Sequence, residues 1–131
     1  MNLLDENFPE DQALQLKECR ISFRQIGRDV ARLGIGDPEI IPLLHQLRWV
    51  TFFTLDRDFF HRRLCHPAYC QVWLDVRADD ASHFVRQFLR HPSFESQQQR
   101  MGVVARAHAD GIHFWRRGLP ALQRVAWTAS R

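Results

Sequence analysis

Two aspartates at the end of a dense apolar run are the first residues in the chain that could carry chemistry. Asp56 and Asp58 stand two positions apart in the segment FFTLDRDFF, residues 52–60. Carboxylates repel each other and resist burial, so the pair needs an explanation. A turn, ion pairs with Arg57 and its neighbours, or a bound cation would each provide one. Mg²⁺ and Mn²⁺ are the natural cations because they take oxygen ligands.

Four further acidic residues stand where predicted elements begin or end. Asp5 and Glu6 follow the first apolar run, and Asp37 and Glu39 open a later predicted helix. Each also has an ordinary structural alternative. Asp5 suits a strand-end turn and Asp37 a helix cap. Glu6 suits a solvated position, and Glu39 suits a first helical turn, where the helix dipole favours negative charge.

The elements that position these residues follow from hydrophobic periodicity and turn signals. Strands are predicted over residues 1–5, 20–26, 49–55, 70–76 and 122–127. Helices are predicted over residues 7–19, 37–47 and 79–91, the first two capped by Asn7 and Asp37. A β-hairpin is predicted over 102–118 because Asp110-Gly111 is a strong turn signal. The alternation of strands and helices predicts an α/β fold with three layers and a mainly parallel central sheet.

Ligand sites in open parallel sheets lie beyond the carboxyl ends of the strands. Asp5 and Glu6 end the first strand, and Asp56 and Asp58 follow the third. If these two strands are neighbours, four carboxylates converge on one place. Because like charges at short range are unfavourable, such a cluster predicts a bound divalent cation.

The whole chain fits one globular domain. Its 131 residues are 45% hydrophobic and 25% charged, with a net charge of +3. No apolar run approaches the roughly 20 residues of a membrane span, and the acidic start does not resemble a signal peptide. We therefore expect a cytoplasmic protein with no membrane partner.

The basic residues and the cysteines each leave two explanations open. Lys17 is the only lysine among 18 basic residues, which fits phosphate recognition by arginine or a GC-rich genome. Trp73 and Trp115 suit either base stacking or sheet packing. The segment HRRLCHPAYC offers a zinc site or ordinary packing, and it lacks the usual Cys-x2-Cys spacing. The residues concerned are His61, Cys65, His66 and Cys70.

Three motifs together resemble a known family. LLDEN at residues 3–7, GDPEI at 36–40 and TLDRDF at 54–59 are similar in type, order and spacing to small PIN-like domains related to the toxin nucleases of toxin–antitoxin pairs. The resemblance covers residues 1–76 best. It implies a single PIN-like domain over 1–131, with a core at about 1–92 and a C-terminal hairpin extension at about 101–131. The segment after residue 60 departs from the family by replacing a shorter, glycine-bearing connector.

The resemblance implies hydrolysis of phosphodiester bonds, usually in RNA, with carboxylate-bound Mg²⁺ or Mn²⁺. It further implies an antitoxin partner and a homodimer for toxin members. By position it assigns metal binding and catalysis to Asp5, Asp37, Asp56 and Asp58. It makes Glu6 and Glu39 candidates for supporting those ligands without binding the metal directly. Arg57, Arg62 and Arg63, expected on a helix after the aspartate pair, are candidates for holding RNA phosphates, with a solvated helix face as the alternative.

Three other functional classes were compared with this one. A receiver domain needs a late lysine, and no lysine follows Lys17. A haloacid-dehalogenase-type phosphatase carries its paired aspartates after the first strand, not the third. The serious alternative is a PIN-like domain that binds protein or RNA with little or no catalysis.

Overall fold

The structure, a computed structural model, describes residues 1–128, apart from the side chain of Asp37. Its centre is a seven-stranded sheet in the order β2-β1-β3-β4-β5-β6-β7. The strands are β1 Asn2–Leu4, β2 Arg24–Gln25, β3 Val50–Thr54, β4 Tyr69–Leu74, β5 Val103–His108, β6 Gly111–Arg116 and β7 Gln123–Val125. The first five are parallel, and β6 is antiparallel to both its neighbours.

Four α-helices and three short 3₁₀-helices accompany the sheet within the same range. The α-helices are α1 Glu10–Glu18, α2 Asp37–Leu47, α3 Ala81–Arg90 and α4 Gln97–Arg100. The 3₁₀-helices are Arg57–Phe59, Arg62–Leu64 and Ala78–Asp80. The predicted α/β class with a mainly parallel sheet is confirmed, and so is the hairpin, in which His108 pairs with Gly111. No helix in this range is long and apolar enough to cross a membrane.

Two apolar cores lie on opposite faces of the sheet, because neighbouring residues of a strand point to opposite sides. Phe53 belongs to the larger core, which α1 and α3 cover and which extends across β4, β5 and β6. Phe52 belongs to the smaller core, where Ile40 and Leu44 of α2 pack on β1, β3 and the start of β4. The second core contains no described residue of β5, β6 or β7. On that face α2 covers only the end of the sheet formed by β1, β3 and the start of β4, and the segment after β3 lies over part of the remainder.

Several local predictions were wrong. The second strand is two residues long, because Ile21 still bonds to α1 through Leu16 and packs with Phe23 against the larger core. Pro9, not Asn7, is the N-cap of α1. Proline suits a helix start because its fixed φ is already helical and no N–H is lost.

The cap of α2 and the helix after the aspartate pair also differ from prediction. Gly36 is the N-cap of α2, and Asp37 is its first helical residue. The three arginines at 57, 62 and 63 lie in two short 3₁₀-helices instead of one α-helix. Asp56 sets the start of the 3₁₀-helix Arg57–Phe59, because its side chain caps that helix by accepting a hydrogen bond from the backbone N–H of Asp58.

A fully buried glutamine in the central strand β4 provides a stability prediction. Gln71 is 0% exposed, and neither polar atom of its amide has a hydrogen-bond partner among the described residues. An unsatisfied buried amide costs about 1–3 kcal/mol. We expect Gln71→Met, which conserves volume, to raise the free energy of unfolding by about that amount. Urea unfolding measures it.

Gln12 on α1 supplies the matched control. It is equally buried, but its Oε1 accepts a hydrogen bond of 2.9 Å from the backbone N–H of Ser82. Gln12→Met leaves that N–H without a partner and should lower the free energy of unfolding. Loss of stability in both variants would contradict the assignment of Gln71 as unsatisfied.

Candidate active site

The first and third strands are neighbours, as the predicted carboxylate site requires. Leu4 pairs with Phe53 in parallel register, and the backbone N–H of Asp5 donates to the carbonyl of Phe53 at 3.0 Å. Asp5 therefore lies beside the end of β3, where Thr54 leads to Asp56. The topology brings these two aspartates to the same edge of the sheet.

A threonine hydroxyl connects the two aspartates. The Thr54 hydroxyl, fully buried, donates to Oδ2 of Asp5 at 2.7 Å and accepts from the backbone N–H of Asp56 at 3.0 Å. Oδ1 of Asp5 accepts from the backbone N–H of Glu6 at 2.7 Å. The carboxylate of Asp5 is thus held in one orientation.

A buried glutamine fixes the turn that follows Asp5. Nε2 of Gln25 on β2 lies 3.1–3.3 Å from the carbonyl oxygens of Asp5, Glu6 and Phe8, and it donates to them. Glu6 in turn accepts from the backbone N–H of Gly34 at 2.6 Å. Glu6 therefore attaches the loop at 27–36 to the end of β1, which is a positioning role.

Asp5 and Asp56 line a cleft of about 250 Å³ at this edge of the sheet. Its wall also includes Glu6, Asn7, Phe8, Ile35, Ile40 and Leu55. A second cleft of about 350 Å³ lies next to it and shares Glu6 and Phe8. The acidic groups thus stand in a concave site whose exposed lining is more polar than apolar.

The other predicted carboxylates are placed less centrally. Asp58 is exposed and does not line the cleft. Glu39 is exposed and lies 3.5 Å from Arg32 in a surface ion pair. Asp37 opens α2 two residues after Ile35, but its side chain lies outside the described part of the structure.

The predicted phosphate-binding arginines are all exposed. Arg57 and Arg63 lie in the two 3₁₀-helices after β3. Arg62 lies with its guanidinium 6.0 Å from the ring centre of Trp115 on β6. These side chains are free to reach an anionic ligand, and Arg62 approaches the sheet face that α2 leaves uncovered.

The donor set fits magnesium or manganese in chemical type, though not as a closed cage. Among residues 1–128, no three His, Cys, Asp or Glu side chains are grouped so as to hold a metal ion, and Asp37 is not described. Mg²⁺ is commonly held by one or two carboxylates, with waters and substrate phosphates completing the shell. Asp5 and Asp56 match that mode.

The comparisons add no relative. Against models of protein families, curated proteins and solved structures, the chain has no match.

The His and Cys residues after position 60 do not form a common site. Cys70 belongs to the larger core, where burial raises its thiol pKa to about 12. His66 stacks on Tyr69 at 4.9 Å on the other face, and burial and nearby His45 lower its pKa. Burial also raises the pKa of Cys65. Cys70, His66 and Cys65 are therefore better explained by packing than by a zinc site.

Two residues near this edge were missed in the sequence. Asp75 directly follows β4 and forms an ion pair of 2.7 Å with Arg106 on β5. The rule that identified Asp5 and Asp56, an acid after a parallel strand, would also have found it. Thr54 carried no comparable signal, because a threonine inside an apolar strand is usual for its β propensity alone.

Proposed function

We propose that this chain is a metal-dependent nuclease of PIN-like type that hydrolyses phosphodiester bonds in RNA. One observation carries the proposal. Asp5 and Asp56 follow adjacent parallel strands, are joined through the Thr54 hydroxyl, and line the same cleft. Two carboxylates that line one cleft can share in holding a hard cation, which takes oxygen ligands.

Asp5 and Asp56 would hold Mg²⁺ or Mn²⁺, and Asp37 and Asp58 are the candidates for completing the ligand set. When bound, such a metal lowers the pKa of a coordinated water and neutralises charge on the phosphate. The protein's own residues orient the groups. Thr54 fixes the carboxylate of Asp5, and Glu6 fixes the loop beside the cleft.

The exposed arginines after β3 give the proposed substrate a place to bind. Arg57 lies between the two aspartates, and Arg62 and Arg63 follow within one short segment. A guanidinium binds phosphate with paired hydrogen bonds. We assign these three residues to the RNA backbone near the scissile bond.

An RNA-binding module with little catalysis is the second candidate. The observation that favours it is the lack of a three-ligand metal group among residues 1–128. Such a module would bind RNA through the same basic surface but would bind Mn²⁺ poorly.

The test is cleavage of a mixed, fluorescently labelled RNA pool with Mn²⁺ or Mg²⁺. We expect wild type to cut and Asp56→Asn to lose at least about 10²-fold of the rate, as is typical when one electrostatic stabiliser of a transition state is removed. Asp79→Asn, which changes an exposed aspartate of the 3₁₀-helix Ala78–Asp80 that does not line the cleft, is the matched control and should retain most of the activity.

Each other result has a distinct meaning. Cutting that survives Asp56→Asn would contradict the assigned site. Absence of cutting together with absence of Mn²⁺ binding in wild type would favour the binding module. Equal loss in Asp56→Asn and Asp58→Asn would show that Asp58 belongs to the ligand set.

A further inference from the structure

A row of aromatic and basic residues crosses the sheet on the face that α2 does not cover. Trp73 on β4 pairs with Arg106 on β5, which pairs with His113 on β6, which pairs with Arg124 on β7. Residues paired in register point to the same side of a sheet. These four side chains therefore form one row, about 14 Å long because neighbouring strands are ~4.8 Å apart.

Trp115 and Arg62 extend this row into a surface. Trp115 lies on β6 two residues from His113, so it points to the same side. Arg62 approaches it from the 3₁₀-helix above, 6.0 Å from its ring centre. On the other strand, the Arg106 guanidinium lies 5.4 Å from the ring centre of Trp73. We call these six residues the Trp–Arg face.

The Trp–Arg face is accessible in the described structure. Trp73, Trp115 and His113 are partly exposed in the middle of a sheet, and Arg62 and Arg124 are exposed. Residues pointing to the opposite side of the same strands, such as Ala105 and Ile112, are fully buried under helices. Phe60 packs against Trp73 at 5.8 Å between ring centres, so each tryptophan keeps part of its ring exposed beside a neighbouring side chain. Partly exposed aromatic rings grouped on one side of a sheet can form an interaction site.

The charge of this face is positive. Asp75 forms an ion pair with Arg106 at 2.7 Å, but Arg62 and Arg124 have no acidic partner among the described side chains, which do not include that of Asp37. The positive charges of this face also act on His113. Its pKa is lowered, first by partial burial and then by His108, Arg124 and Arg106. A polyanion with flat, stackable groups complements both the charge and the rings.

We propose that the Trp–Arg face binds single-stranded RNA, with Trp73 and Trp115 stacking on bases and Arg62 and Arg124 contacting phosphates. The inference rests on the proposed RNA substrate but not on cleavage. Double-stranded RNA is excluded as the preferred ligand because its bases are already stacked and cannot lie on the rings. Arg62 belongs to the segment that follows Asp56 and Asp58, so it would connect this face with the cleft.

The test is fluorescence anisotropy of a labelled single-stranded RNA of mixed sequence, in EDTA so that no cleavage intervenes. We expect Trp115→Ala to weaken binding about 5- to 150-fold, the effect of one lost stacking contact. Trp49→Ala is the matched control, because Trp49 is 49% exposed but lies outside this face, and it should bind like wild type. Circular dichroism verifies that each variant is folded.

Two arginine variants test the phosphate contacts without changing the packing of the core. Arg124→Ala should reduce the magnitude of the negative slope of log K against log salt by about 0.7, the contribution of one single-strand phosphate contact. Arg90→Ala, an exposed arginine at the end of α3 on the opposite side of the sheet, should not change it. Equal effects of Arg124→Ala and Arg90→Ala, or binding that survives Trp115→Ala, would overturn the proposal.

The two proposals fail separately. RNA binding by this face without metal-dependent cutting would leave the inference intact and overturn the nuclease. Metal-dependent cutting by a protein whose RNA binding does not depend on Trp115 or Arg124 would support the nuclease and overturn the inference about the Trp–Arg face. Equal affinity for double- and single-stranded RNA would also overturn the inference.

Discussion

Asp5→Asn is expected to lower metal-dependent RNA cleavage by at least about 10²-fold, the cost of removing one electrostatic stabiliser, with little change in the fold. Asparagine has the shape of aspartate, so its Oδ1 can keep the hydrogen bond from the N–H of Glu6. Its Nδ2 would face the Thr54 hydroxyl, which can rotate and accept. The variant therefore removes the charge and keeps the contact with Glu6, while the hydrogen bond with Thr54 reverses its direction. Cleavage rates and Mn²⁺ titration would be measured together.

Thr54→Val and Thr54→Ser separate orientation from charge. Valine removes the hydroxyl that holds Oδ2 of Asp5, and serine keeps it. Loss of a partner that orients a metal ligand typically costs about 10–100-fold in metal affinity or activity. Thr54→Val should therefore fall between wild type and Asp5→Asn, and Thr54→Ser should remain near wild type. Full activity in Asp5→Asn would remove Asp5 from the mechanism.

Gly111→Ala is expected to lower the free energy of unfolding by about 3–5 kcal/mol, because backbone strain and overpacking add. Gly111 has a φ of 149°, which residues with a side chain rarely adopt. A Cβ built there would lie 2.5 Å from the carbonyl oxygen of Val125, a backbone atom that cannot move aside cheaply. The alanine methyl would push β7 from β6.

Gly118→Ala is the matched control for Gly111→Ala. Gly118 also has a positive φ, of 86°, but a Cβ there would have nothing within 4 Å. Only the conformational cost remains, about 1 kcal/mol. Urea unfolding of both variants isolates the close contact. Similar decreases in the free energy of unfolding of the two variants would show that β7 can move away from the added methyl group without a measurable loss of stability.

The parts of the fold that sequence predicts are those fixed by local chemistry. The apolar runs at β1, β3 and β4 and the Asp110-Gly111 turn were identified in this way. The adjacency of β1 and β3 remained a condition of the site prediction, and the structure supplies it. The short β2 was not predictable, because Ile21 and Phe23 have the spacing of strand residues but are drawn into the larger core. Tertiary packing overrides local propensity at such positions.

The site was predictable in position but not in detail. An acid after each of two parallel strands identified Asp5 and Asp56. Which acids would face the cleft depended on backbone turns: Asp56 caps the 3₁₀-helix Arg57–Phe59, and Asp58 lies exposed within that helix. The sequence also did not predict that α2 leaves β5, β6 and β7 without a helix of the second core. The position of α2 on the sheet depends on tertiary packing and not on any one stretch of sequence.

The lengths of the outer strands have a consequence for self-association. In the described range the sheet ends on β2 with two residues and on β7 with three. A long open strand invites another chain to add to the sheet, and very short edge strands are one means by which proteins prevent this. A pair of these molecules would therefore meet through helices or side-chain surfaces, not through a sheet continuous across both subunits.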